Sequence, residues 1–318
     1  MAPRPSTTLS TVTETVSQEK KSIKSEYPPL QIVWRNVAIF VFLHIGAVYG
    51  AYLSLVFVKW QTWLFCCFIG FLSGLGITAG AHRLWCHRSY KAKLPLRIFL
   101  CICNCIATEN DIYEWSRDHR VHHKYSETTA DPHNVERGFF FSHIGWLLVR
   151  KHPDVIAKGK TIDLSDLKDD PVVKFQRRYY AQLVILFNLL IPTFVPYWFW
   201  GESAYYSFWF TFVTRYIVAL HMTWLVNSAA HMWGNKPYDK YISARENNFV
   251  AIGALGEGFH NYHHTFPWDY STSELGWRFN ISTMFIDTMA WLGLAYDLKT
   301  VPSEMIKQRV ERTGEKYE

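Results

Sequence analysis

Cysteine is scarce in this sequence and never occurs as a CxxC pair. The six cysteines lie between residues 66 and 105, within or beside apolar segments. A disulfide-rich scaffold is therefore excluded, and so is a structural zinc site built on paired cysteines. We expect reduced cysteines that pack in helices, with Cys86, between His82 and His87, as a minor candidate for a metal ligand.

The excess of charge of one sign is also small. Lys and Arg number 33 against 27 Asp and Glu, which leaves a formal net charge of +6. Aromatic residues do not alternate with basic runs, so this balance does not favour a nucleic-acid-binding protein. Hydrophobic residues make up 49% of the chain, and they are concentrated in blocks.

Charge is nearly absent from four long stretches. Residues 36–58, 61–81 and 179–200 carry no charged side chain, and 203–234 carries only Arg215. About 20 apolar residues suffice to cross a bilayer, so these stretches predict four membrane spans rather than the buried helices of a soluble protein. Two residues separate the first two stretches and two separate the last two, which pairs the spans into hairpins.

The predicted fold class is therefore all-α: an integral membrane protein with four transmembrane helices in two hairpins and a cytosolic helical cap. The spans are predicted at about 36–58, 61–81, 179–200 and 205–233, and the cap is predicted from 82–178 and 235–300. Residues 1–29 are rich in Ser, Thr and Lys and are predicted to be a disordered tail. Residues 30–300 are predicted to form one domain, followed by a C-terminal tail at 301–318.

Basic residues flank the four spans on one side. By the positive-inside rule they place both termini and the 82–178 loop in the cytosol. These residues are Lys20, Lys21, Lys24, Arg35, Arg83, Arg88, Lys91, Lys93, Arg177, Arg178, Lys236, Lys240 and Arg245. A charge inside a span is costly. We therefore expect Arg215 to snorkel to the interface, or the fourth helix to start deeper than 203, and we do not favour a role for Arg215 in the wall of a water-filled cavity.

Histidine is the most unusual residue type here, with 14 in 318 residues. Two HxxHH motifs, His119–His123 and His260–His264, place three imidazoles at i, i+3 and i+4, on one face of a helix. Such a face can share one metal ion or bridge between two. His82 and His87 form a third cluster where the second span ends. His231 follows the fourth span and shares a helix face with Trp224 and Asn227.

Together these clusters supply nine imidazoles, which are too many for one ion and suit two. Imidazole binds iron as well as zinc and copper, haem would use only one or two of the histidines, and zinc supplies no redox chemistry. The residues therefore favour a non-haem di-iron centre. Ligating histidines usually hydrogen-bond to a carboxylate or a carbonyl through the other ring nitrogen. The candidates for that role are Glu114, Asp118, Asp131, Glu257 and Asp269. Five histidines are expected to be structural: His44, His133, His143, His152 and His221.

The three histidine clusters resemble the histidine boxes of membrane fatty acyl-CoA desaturases. The resemblance extends through GAHRLWCHRSYKAKLPLR, NDIYEWSRDHRVHHKYSETTADPHN, SHIGWLLVRKHP, NSAAHMWGNKPYDK and GEGFHNYHHTFPWDY. It covers nearly everything after residue 30. These flanking segments are similar to the stearoyl-CoA, delta-9-type branch of the family, and the tails and length resemble those of insect members.

This resemblance implies two non-haem irons, an acyl tunnel beneath them, and a set of site residues at matching positions. The implied metal ligands are His82, His87, His119, His122, His123, His231, His260, His263 and His264, with Asn227 acting through a water. The implied CoA and acyl contacts are Asn36, Asn110, Arg117, Asp118, Arg150, Lys151 and Trp224. No catalytic residue beyond the di-iron centre is implied. Arg150 and Lys151 have an alternative role as a basic patch that meets anionic lipid.

The resemblance also implies an activity, a location and partners. The expected reaction is the O2-dependent introduction of a double bond into a saturated fatty acyl-CoA, catalysed in the endoplasmic reticulum membrane. Two electrons must come from outside the chain. The sequence has no HPGG haem motif and no GxGxxG segment that follows a strand, so we expect cytochrome b5 and NADH-cytochrome b5 reductase as the electron donors.

Alternatives remain for the position of the bond and for the chemistry. Delta-9 is the first expectation, and delta-11 or another position is the alternative. A membrane di-iron hydroxylase would use similar boxes, and a multi-span metal-binding or metal-transport protein would need ligands inside the membrane. Gly70 lies 12 residues before His82, or about 18 Å along a helix. A glycine there predicts room for a deeper acyl chain.

Overall fold

Helices dominate the computed structural model, which describes residues 29–316. The all-α part of the predicted fold class is thereby confirmed. The predicted disordered tail at 1–29 lies outside the described residues except for Pro29.

The helices that carry the argument are labelled in chain order. They are α1 (Trp34–Val56), α2 (Trp60–Cys86), α3 (Leu94–Ala107), α4 (Ile112–Tyr125), α5 (Tyr180–Trp200), α6 (204–227), α7 (His260–Thr265), α8 (Ile281–Trp291) and α9 (Ser303–Thr313). Shorter helices lie at Val135–Arg137, Phe141–Gly145, Trp146–Leu148, Pro153–Gly159, Ser165–Asp169, Pro171–Arg178, Ala229–Met232 and Asn248–Gly253. Strands Lys91–Ala92 and Ala295–Tyr296 pair antiparallel, with Lys91 opposite Tyr296.

Three of these helices, α1, α2 and α5, are long and apolar enough to cross a membrane by length and composition. Helix α2 runs five residues past the predicted limit of the second span and so carries His82. Helix α6 coincides with the fourth predicted span but ends at residue 227 rather than 233. The backbone leaves regular helical geometry at Ser228, with φ −110° and ψ −73°, and the Ser228 hydroxyl donates to the Trp224 carbonyl.

Helix α1 has one face of small residues and one face of exposed apolar side chains. Val48 is 74% exposed and Leu55 is 81% exposed, as expected of side chains that meet lipid. On the other face, Gly46 and Gly50 pack against α6. A Cβ at Gly50 would lie 2.2 Å from the Trp209 carbonyl oxygen, so the close approach of the two helices requires glycine.

Arg215 is buried in α6, and the snorkelling prediction is wrong. Its side chain is 4% exposed and lines the large cavity described below. Its guanidinium donates to the carbonyl oxygens of Thr211 at 3.1 Å and Ile106 at 3.0 Å, and to the side-chain oxygen of Asn188. Enough acceptors lie within reach inside the protein to satisfy the charge without contact with the interface.

A hydrophobic cluster beneath the histidines joins α2, α3, α4 and α8. It includes Leu75, Leu100, Ile112 and Ile286, all nearly inaccessible to solvent. These four helices therefore have fixed relative positions at the point where the histidine-bearing segments meet.

The segment predicted as a C-terminal tail contains helix α9. Its Ile306 packs with Tyr238 and Tyr262 in a separate buried cluster, and its Arg309 pairs with Asp239. This helix therefore covers the segment that leads from His231 towards α7.

Candidate metal centre

The nine histidines proposed as ligands lie close together in two adjoining groups. One set of ring nitrogens within 4.8 Å of one another belongs to His82, His87, His119, His123 and His263. A second such set belongs to His122, His231, His260 and His264. These groups are called the first and second histidine groups below.

Each HxxHH motif is divided between the two groups. In α4, His119 and His123 point into the first group and His122 into the second. In α7 the division is reversed, with His260 and His264 in the second group and His263 in the first. Positions i and i+4 thus serve one group and position i+3 serves the other. Each motif therefore contributes to both groups.

The close approach of His82 and His87 depends on a π-helical segment. The last part of α2, Gly76–Cys86, is π-helical, and the His87 N–H donates to the His82 carbonyl at 3.0 Å. In a regular α-helix, residues five apart point about 140° away from each other. The wider π turn instead brings the His82 and His87 rings to 4.8 Å between centroids.

The ring nitrogens within each group converge. In the first group, Nε2 of His263 lies 2.9 Å from Nε2 of His82 and 3.0 Å from Nε2 of His123. In the second, Nε2 of His260 lies 2.9 Å from Nε2 of His231.

Burial, together with neighbouring imidazoles, holds the pKa of most of these rings well below the ordinary value. The rings affected are His87, His119, His123, His231, His260, His263 and His264. A neutral imidazole has one N–H and one lone pair. Several neutral rings directed at one point can offer their lone pairs together, and such a donor set fits a bound metal ion.

Three partners fix the orientation of ligand rings from outside. Nδ1 of His122 lies 2.9 Å from Asp131, Nδ1 of His82 lies 3.0 Å from Glu257, and Nδ1 of His231 lies 2.7 Å from the Ser243 hydroxyl. A ring that donates through Nδ1 presents the lone pair of Nε2 to the site. Burial would raise the pKa of Asp131, but the adjacent His122 and His133 and the Glu127 N–H lower it well below its usual range.

The remaining predicted partners have other contacts. Glu114 and Asp118 pair with Arg117, and Asp269 accepts hydrogen bonds from Tyr262 and Ser271.

His133, expected to be structural, lies closer to the site than predicted. Its ring centroid is 4.4 Å from that of His122, and its Nδ1 is 3.6 Å from Asp131.

A large apolar cavity reaches the histidine groups. Its volume is about 590 Å³, and it extends from Ala51 and Ser54 of α1 to His82, His119 and His260. Asn227 lines it near this end. Gly70 lines the wall beside Arg215, where an added Cβ would lie 3.7 Å from the Arg215 Cγ, an ordinary van der Waals distance.

A second cavity of about 360 Å³ contains three of the predicted substrate contacts, Arg117, Asp118 and Lys151. Asp118 pairs with both Arg117 and Lys151. Lys160 and Lys168 line the same cavity and were not predicted. They lie in a segment without a motif, so only the fold brings them to the other basic residues.

Four predicted substrate contacts line neither of these two cavities. The Asn36 amide donates to the Leu147 carbonyl at 2.8 Å. Arg150 and Asn110 are exposed. Trp224 is buried among Phe40, His44, His143 and His221.

With this geometry in view, comparison with known proteins is decisive. The pattern of the fatty acid desaturase family matches residues 58–276, a range that includes all nine histidines. The chain belongs to the fatty acid desaturase family. The predicted family is therefore confirmed, and with it the predicted enzyme class, an oxidoreductase that desaturates fatty acyl chains.

Similar relatives include desaturases from an insect and from a mammal. This desaturase is 60% identical over 286 residues to an acyl-CoA Delta-9 desaturase of Acheta domesticus, covering 90% of this chain and 80% of that relative. It is 60% identical over 289 residues to stearoyl-CoA desaturase 5 of Homo sapiens, with 89% and 86% covered. An acyl-CoA Delta12-desaturase of Acheta domesticus is 60% identical over 298 residues, with 93% and 84% covered.

The family and the apolar helices together indicate a membrane protein. In this desaturase the apolar cavity and the two histidine groups meet, so that a hydrocarbon chain in the cavity would lie against these histidines.

Proposed function

We propose that this desaturase introduces a double bond into a saturated fatty acyl-CoA, with position 9 as the expected site. One observation carries the proposal: the apolar cavity ends at His82, His119 and His260. A methylene chain threaded into this cavity would present an internal C–C bond to the metal-binding side chains. A misplacement of about 1 Å would lower the rate greatly, so the cavity wall selects the carbons that react.

Two non-haem irons would occupy the two histidine groups. The first group offers five imidazoles, and the second offers four, to which a water held by Asn227 would add a ligand. When bound, iron supplies the O2-dependent oxidation of an unactivated C–H bond, for which side chains have no acid or base chemistry. The protein supplies the position of the chain, the apolar cavity and the orientation of the rings.

The reaction balance requires an external reductant. Two C–H bonds on adjacent carbons break and a C=C bond forms, while O2 takes up these two hydrogens, two further electrons and two protons to give two molecules of water. Cytochrome b5 and NADH-cytochrome b5 reductase are proposed as the source of the electrons. Purified protein with NADH alone should then be inactive, and addition of both proteins should start turnover; turnover with NADH alone would contradict this assignment.

The second cavity is proposed to hold the CoA head group. Its basic residues, Arg117, Lys151, Lys160 and Lys168, suit phosphate groups. Asp118 orients two of these side chains through the pairs described above.

A four-span arrangement in the endoplasmic reticulum membrane, with both termini cytosolic, is proposed from α1, α2, α5 and α6. The exposed apolar face of α1 and the basic residues that flank the spans support it. Glycosylation-site reporters fused to either terminus should remain unmodified, whereas modification of either one would contradict this orientation.

Lipid analysis of a host cell that lacks its own desaturase tests the activity. Expression of the chain should yield a new monounsaturated fatty acid with its double bond at carbon 9, and the His263→Ala variant should yield none. A bond at carbon 12 would favour a second candidate function, desaturation at position 12. The 60% identity to the Delta12-desaturase of Acheta domesticus supports this candidate. Hydroxylated acids without unsaturated ones would contradict desaturation.

A further inference from the structure

We propose that Glu109 is a binding-linked proton site, so that the acyl chain binds to the form of this desaturase in which the Glu109 carboxyl is protonated. The inference rests on the proposed function, since acyl-CoA is the ligand. It concerns a side chain that neither the metal centre nor the head-group cavity uses.

Glu109 lies between α3 and α4, and its side chain lines the apolar cavity together with Trp115, His119 and Thr223. The Thr223 hydroxyl donates to Oε1 at 2.8 Å, and the Trp115 indole N–H approaches Oε2 at 3.4 Å. Neither partner carries a charge. A carboxyl group is thus built into the wall of a hydrocarbon-binding cavity.

No positive charge compensates an ionised Glu109 among residues 29–316. It forms no ion pair there, and the Arg215 guanidinium on α6 is directed to Thr211, Ile106 and Asn188. Tyr180 of α5 and Tyr216 of α6 are its other titratable neighbours. The remaining titratable groups that line the cavity are Cys66, Cys67, His82, His119, Glu257 and His260. Burial raises the pKa of Glu109 to about 7, although the Thr223 and Trp115 hydrogen bonds oppose the rise.

An acyl chain in the cavity changes the surroundings of this carboxyl. Methylene groups replace water next to it, and an apolar environment disfavours the charged form far more than the neutral acid. The chain therefore binds better when Glu109 is protonated, and binding raises its pKa further. As the pH rises through 7, Glu109 of the free protein ionises, and the affinity of the protein for the acyl chain falls. A pKa of about 7 in the free protein predicts that the Kd for acyl-CoA increases about tenfold between pH 6 and pH 8.

Direct binding measurements on the full-length, iron-loaded protein in detergent micelles test the proposal. The Kd of stearoyl-CoA is measured at pH 6, 7 and 8 for the wild type and for Glu109→Gln, which preserves the shape and the Thr223 hydrogen bond but does not titrate. CoA without an acyl chain corrects for the titration of the head group and its cavity. The wild type should show the tenfold change, whereas Glu109→Gln should bind with nearly equal affinity at all three pH values.

A second variant tests the assignment in case Glu109→Gln folds poorly, as judged by thermal melting. Thr223→Val removes a hydrogen bond that favours the ionised carboxylate, so the midpoint of the pH dependence should move to higher pH. An equal pH dependence in wild type and Glu109→Gln, or an unmoved midpoint in Thr223→Val, would overturn the inference. If the wild type binds stearoyl-CoA with an affinity that does not depend on pH, only the inference about Glu109 is overturned. If it binds no stearoyl-CoA at any pH, the proposed function is overturned as well.

Discussion

Single carboxylates beside the metal centre determine how its histidines are presented. Asp131 accepts from Nδ1 of His122, and Glu257 accepts from Nδ1 of His82 while its other oxygen accepts from Arg83 at 3.0 Å. Sequence proximity predicted five such acids and the structure gives the role to these two. Acids one to five residues from a histidine in sequence can point away from it, because a helix rotates by 100° for each residue.

Replacement of Asp131 should weaken metal binding. The negative charge of Asp131 orients the His122 ring and raises the basicity of that ring, and Asp131→Asn removes this charge. The loss of such a partner typically costs about 10–100-fold in metal affinity. Iron per protein after dialysis against a weak chelator measures the effect. Asp118→Asn is the matched control, because Asp118 contacts Arg117 and Lys151 rather than a histidine. Equal iron retention in both variants would contradict the role of Asp131.

The wall of the acyl cavity at Gly70 should limit chain length. Gly70 lines the cavity, so Gly70→Tyr would place a ring in it. Gly70→Ala would add only one methyl group, at 3.7 Å from the Arg215 Cγ, an ordinary contact distance. Lipid profiling should show a shift of the products of Gly70→Tyr towards shorter acids and little change for Gly70→Ala. An unchanged profile in Gly70→Tyr would show that the chain does not reach this depth.

At the level of helices, regular spacing in the sequence predicted which side chains share a face, whereas contacts that depend on irregular backbone or on distant segments could not be predicted. The HxxHH spacing predicted the shared faces of α4 and α7, because residues i, i+3 and i+4 adjoin in any α-helix. The meeting of His82 with His87 depends on a π-helical segment that no local residue preference announces. The burial of Arg215 depends on the Ile106 carbonyl of α3 and the Asn188 side chain of α5, which are distant in sequence. The order of the helices could thus be predicted, whereas these contacts required the folded chain.

The contact between α1 and α6 gives a prediction for stability. An added Cβ at Gly50 would overlap the Trp209 carbonyl oxygen, so Gly50→Ala should separate the two helices and destabilise the protein by about 1–3 kcal/mol. Thermal melting in detergent micelles would detect this as a lower Tm. Gly70→Ala, on a helix face without overlap, should leave the Tm within the error of the wild type. Equal melting temperatures for the two variants would show that α1 can move without loss of stability.

In the whole molecule, the histidine groups connect segments that are far apart in sequence. Rings from α2, α4, the 229–232 segment and α7 meet at 2.9 to 3.1 Å between nitrogens. A ligand that binds only the folded state stabilises it by mass action, and a bound cation would also remove the repulsion between these rings. Chelation should therefore lower the Tm, and Fe(II) should restore it. An unchanged Tm after complete iron removal would mean that the helices hold the rings in place without metal.

The spread of these ligands along the chain has a consequence for biosynthesis. The first of them is residue 82 and the last is residue 264. While the ribosome is producing the first two thirds of the chain, neither histidine group is complete. A metal ion that requires a complete group could therefore bind only after α7 has been synthesised, and a truncated product that stops before α7 would hold no complete group.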